Sequence, residues 1–108
     1  MDRHLIADVI ERQTRRDPRL GTWTALERAA HISHTQMHRI KKGDAQVSVA
    51  MFARLEGVLG LPSDTLVTAG VHDVEGLREL GAPADLVAWV AAKVNDASGF
   101  GQGSAKAL

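Results

Sequence analysis

The stretch ISHTQMHRIKKG, Ile32 to Gly43, decides how the rest of the chain reads. Ser33 stands three residues before Gln36, the S-x-x-Q pattern in which a serine side chain caps a helix start. Gly43 is the residue type that most readily turns left-handed at a helix end. On the helix between them, Met37 and Ile40 fall on one side, while His34, Thr35, His38, Arg39 and Lys42 share the opposite arc. A helix anchored so narrowly presents a broad polar face.

The charge of that face is one-sided. An ordinary solvated helix surface mixes both signs, for solubility and for i to i+4 pairing. The span from Arg28 to Lys42 instead holds four Lys or Arg residues and three His, with no acid. The whole chain is balanced, 13 Lys plus Arg against 13 Asp plus Glu, because Glu56, Asp64, Asp73, Glu75, Glu79, Asp85 and Asp96 gather in the second half. The side chains on the face are types that read nucleic acid. Arg pairs bidentately with guanine, Thr offers a hydroxyl and a methyl, and His donates or accepts at purine edges. A helix placed just before such a reader crosses the phosphate backbone.

Working outward, apolar residues recur at helical spacing and no segment alternates as a strand does, so the expected fold class is all-α. A first helix over about Arg3 to Arg16 buries Leu5, Ile6, Val9 and Ile10 before Pro18 and Gly21 break it. The second helix is capped either by Thr24, in a T-x-x-E box with Glu27, or by Thr22, and ends near His31. Beyond Gly43, a fourth helix capped by Ser48 carries Met51, Phe52, Leu55, Val58 and Leu59 as an apolar stripe, and is the expected centre of the core. Ser63 caps a fifth helix with Leu66 and Val67 inward, ending at Gly70. Asp73 opens a sixth that ends at Gly81. Pro83 starts a seventh, where Leu86, Trp89 and Val90 form an apolar strip that either packs on the bundle or makes a homodimer contact.

Several function classes are disfavoured. At 108 residues the chain supports one good core, not two. There is no Cys, which removes disulfides, thiol nucleophiles and Cys-based zinc sites together. His31, His34 and His38 invite a metal reading, but no Glu completes an H-E-x-x-H pattern and a metal would compete for the polar face, so neither metal nor cofactor is expected. The acids are scattered, Ser33 and Ser48 read as helix caps, and no Gly-rich phosphate loop appears, so no catalytic residues and no small-molecule ligand are expected. No apolar run approaches the roughly 20 residues of a membrane span, and a cytoplasmic protein is expected.

The segment from about Thr22 to Gly70 resembles the lambda-repressor-like, or Xre type, helix-turn-helix domain, through LERAAHIS, HTQMHRIKKG and LEGVLGLPSDTLVTAG. Leu26, Ala30, Ile32, Ser33, Met37, Ile40 and Gly43 fill the structural positions of that pattern. The departures are Glu27 for a small residue, His31 for the turn glycine and Lys41 for an acid near the helix end. Glu27 is accounted for by the Thr24 capping box, and His tolerates left-handed backbone better than most residues.

The resemblance implies a five-helix bundle with one or two added C-terminal helices. With it, residues 1–70 form the DNA-binding domain; the helices over 71–95 are an extension that packs on the core or mediates dimerisation, and the Gly- and Ser-rich residues 96–108, with little to bury, are a flexible tail. The resemblance implies a sequence-specific transcription regulator of bacterial or phage type, acting as a repressor on double-stranded DNA through the helix of residues 34–42. By position, His34, Thr35 and Arg39 reach base edges, with His38 a fourth, and Ser33, Gln36 and Lys42 contact phosphate. Thr22 and Trp23 lie near phosphate at the start of the second helix. A lone tryptophan there is more often a packing lid; if exposed, its indole N–H can donate to a phosphate oxygen. The rival reading is a protein-interaction module built on the same bundle, or an accessory DNA-binding protein without promoter-specific repression.

Overall fold

The computed structural model describes residues 1–96 in full and, beyond them, only the course of the last helix, leaving out Leu108. Among the described residues seven helices follow one another: α1 (Arg3–Arg16), α2 (Trp23–Ala30), α3 (His34–Lys41), α4 (Val49–Leu59), α5 (Thr65–Gly70), α6 (Val74–Leu80) and α7 (Ala84–Ala107). No strand forms among the described residues, and the all-α expectation holds. Apart from Asp96, the tail expected over 96–108 lies outside the fully described residues.

The centre of the core is α1, not α4. Leu5, Ile6, Ala7, Val9, Ile10 and Thr14 are all buried, so α1 is apolar around much of its circumference, and it packs on α2, α3, α4 and α5. Each fully buried aliphatic side chain stabilises the fold by about 1.5–3 kcal/mol relative to exposure. Of the stripe expected on α4, only Phe52 and Leu55 are buried, while Met51, Val58 and Leu59 remain half-buried at the rim. Thr14 hides its hydroxyl by donating to the Ile10 carbonyl at 2.7 Å.

The third buried residue of α4 is Glu56, 4 % exposed. Its carboxylate accepts from the amide of Asp64 at 3.2 Å and from that of Leu66 at 2.8 Å. It therefore caps α5 from a neighbouring helix, satisfying two of the amides that a helix start leaves without intrahelical partners. This replaces the cap expected from Ser63, because the chain turns left-handed at Asp64 (φ 73°) and α5 begins only at Thr65. Ser48 has the extended backbone of a cap but makes no side-chain capping bond.

The helices after Gly70 join the same core, to which Leu77, Leu86, Val87 and Val90 contribute. Gly70 lets α5 lie close against α1, since a Cβ there would stand 2.7 Å from Ile6 Cδ1. Arg12 fastens α7 to α1: it donates to Asp85 at 3.1 Å and lies 5.6 Å from the centre of the Trp89 ring. That guanidinium, with Arg16 beside it, holds the Asp85 carboxyl below the usual range. Leu86 and Val90 are buried within the chain, and Trp89 is half-buried between Arg12 and Lys93. Of this strip, the fold gives Leu86 and Val90 to intramolecular packing.

Replacing Glu56 by alanine leaves the buried Leu66 amide and the part-buried Asp64 amide without their acceptor and lowers stability by about 2–3 kcal/mol in urea unfolding. Glu56→Gln keeps an acceptor and loses less than the alanine variant.

Candidate nucleic-acid interface

Two short helices meet at a turn whose geometry fixes the polar face. α2 begins at Thr22, which is extended (φ −132°) and whose hydroxyl accepts from the Ala25 amide at 3.2 Å. Thr24 lies already within the helix, so its T-x-x-E box does not form and Glu27 is free for another partner. α2 ends at His31, left-handed at φ 54° and ψ 45°. The Ile32 amide then reaches back to the Glu27 carbonyl at 3.1 Å, the closing bond of a Schellman turn. From α4, Arg54 donates to the His31 carbonyl at 3.1 Å. A histidine does here what glycine does more easily, and a cation from the neighbouring helix ties the strained residue in place.

Ser33 caps α3 as the sequence predicts, its hydroxyl accepting from the Gln36 amide at 3.2 Å. Met37 and Ile40 are buried against the core, and His34, Thr35, His38, Arg39 and Lys42 are all exposed. Thr22 and Ser33 are exposed and Gln36 is half-buried. At the far end, Gly43 turns left-handed (φ 72°), with the His4 ring 3.0 Å from where its Cβ would stand. Arg3 holds the loop that follows by donating to the Val47 carbonyl at 2.9 Å while lying 5.5 Å from the centre of Phe52. The α3 face is thus framed at both ends by contacts from α1 and α4.

Trp23 is half-buried against the core, and the Lys41 ammonium sits 4.8 Å from its ring centre. Its ring serves as a packing lid, and Lys41 is drawn over it. An open depression lined by Asp8, Glu11, Arg15, Trp23 and Lys41 lies alongside.

The ion pairs divide the molecule. Arg12, Arg15, Arg16, Arg19 and Arg78 each hold a carboxylate. Among the described residues, Arg28, Arg39, Lys41, Lys42 and Arg54, the cations of α2 to α4, hold none. Arg3 and Lys93 also hold no carboxylate among the described residues, but the cations without acid partners gather on α2 to α4, where they raise the positive potential. The exception to the acid-free face is a contact the sequence does not signal: His34 Nδ1 lies 3.0 Å from Glu27 Oε1. The two residues are seven apart and face each other only because of the turn between them. Among the described residues no three His, Asp or Glu side chains gather as metal ligands, and no helix is long and apolar enough to cross a membrane.

Comparison with protein-family models, with characterised proteins and with solved structures finds no match to this chain.

His31→Gly relieves the left-handed strain between α2 and α3 and should stabilise the protein by about 0.5–1 kcal/mol in urea unfolding, with unchanged helical content by circular dichroism.

Proposed function

We propose that the protein is a sequence-specific double-stranded DNA-binding transcription regulator on a lambda-repressor-like helix-turn-helix, with α2 and α3 as its paired helices. α3 enters the major groove, and occupation of promoter DNA represses transcription. The single observation that carries this reading is the face of α3, where five exposed hydrogen-bonding or cationic side chains stand over two buried anchors, beside cations without acid partners.

The roles follow from position. His34, Thr35 and Arg39 address base edges, with His38 beside them, and the exposed Thr22, Ser33 and Lys42 address phosphate. Gln36 is half-buried and contributes less. Trp23 acts through packing, and Lys41 stands over it rather than extended into solvent. The protein-interaction alternative draws on the strip of Leu86, Trp89 and Val90, whose two aliphatic members are spent within the core.

Fluorescence anisotropy with a randomised duplex pool at two salt concentrations, followed by sequencing of the retained DNA, tests the proposal. A defined motif should emerge, with log affinity falling against log salt at a slope of about −0.9 for each phosphate neutralised by a cation and reaching about −4 to −5 if Arg28, Arg39, Lys41, Lys42 and Arg54 all take part. A salt-insensitive complex, or none, contradicts it.

Arg39→Ala should weaken binding to the selected site by about 1–3 kcal/mol and relax one base position. Lys42→Ala should weaken all sequences about equally, and the two variants compared on selected and scrambled duplexes separate base reading from phosphate contact.

A further inference from the structure

The bond between Glu27 and His34 lies on the face that reads DNA. The Glu27 side chain is only 14 % exposed, while that of His34 is 83 % exposed and stands first on α3. An ionised carboxylate can only accept, so the hydrogen in the 3.0 Å contact belongs to the ring, and Nδ1 donates. A neutral imidazole has a single N–H. Nε2, on the opposite side of an exposed ring, is then left with its lone pair toward solvent.

That lone pair has a restricted set of partners in the major groove. It accepts from an exocyclic amino group, N6 of adenine or N4 of cytosine. It finds only other acceptors in N7 and O6 of guanine and in O4 of thymine. Stability does not account for the pair. An ion pair with one member this exposed contributes little, and α2 and α3 are already set by the Schellman turn, the Arg54 contact and the buried Leu26, Ile32 and Met37.

We infer that Glu27 determines base specificity: by holding His34 with its proton on Nδ1, it makes α3 select a base bearing an amino group, adenine or cytosine, at the position facing His34. The inference rests on the DNA-reading function proposed above. Glu27 touches no base in this scheme and acts by positioning a proton on its neighbour.

The test joins a spectroscopic measurement to a selection, both at pH 8, where imidazole in solution is neutral. Two-bond nitrogen–proton correlation spectra of the free protein should show Nδ1 of His34 protonated and Nε2 bare. Selection from the randomised duplex pool should enrich amino bases at one position by about tenfold over guanine and thymine. In Glu27→Ala the ring is released, and the preference at that position alone should fall to within about twofold while the other positions persist. His34→Ala should lose the same position, which keeps the assignment testable without relying on the folding of the first variant.

A ring with Nε2 protonated overturns the inference, as does a selected motif that Glu27→Ala leaves unchanged, and in both cases the DNA-reading function stands. A ring protonated on Nδ1 in a protein that selects no sequence overturns the DNA-reading function, and the inference with it.

Discussion

Burial of Ile6, Val9 and Ile10 beneath the surrounding helices is the constraint on which the rest of the molecule depends. α1 touches α2, α3, α4 and α5, so four short helices, none longer than eleven residues, share a single apolar support. Isolated helices of that length are marginal in water. They persist because each places a few side chains against α1 or against a neighbour that rests on it. For α3 those side chains are Met37 and Ile40. Because so little of α3 is committed inward, the rest of its circumference is free to meet a partner.

The polar contacts of the core are arranged to hold short elements where propensity alone does not. Glu56 caps α5 from α4, Arg54 ties down the left-handed His31, and Arg3 fixes the loop after Gly43. Each is a charged group bound to backbone rather than to an opposite charge. Such bonds are stronger than neutral ones and are directional, which suits them to fixing the angle at which one helix leaves another. Among the described residues the cations of α2 to α4 have no acid partners, whereas Arg12, Arg15 and Arg16 of α1, Arg19 in the loop after it and Arg78 of α6 each hold a carboxylate.

The sequence by itself determined the all-helical class, the positions of α1, α3 and α6 almost to the residue, and the polar arc of α3. These follow from local rules: apolar spacing, the caps at Ser33 and Asp73, and the left-handed turns at Gly43 and Gly81. The tertiary structure decided what depends on residues distant in the chain. It chose Thr22 over Thr24, moved the core's centre to α1, capped α5 with Glu56 instead of Ser63, and turned Leu86 and Val90 inward. It also brought Glu27 to His34 across the turn, where a capping box alone offered no hint of the pair. The physical reason is range. A cap or an amphipathic stripe is settled within a turn or two of helix, whereas a buried carboxylate or a shared proton finds its partner only after the helices have packed.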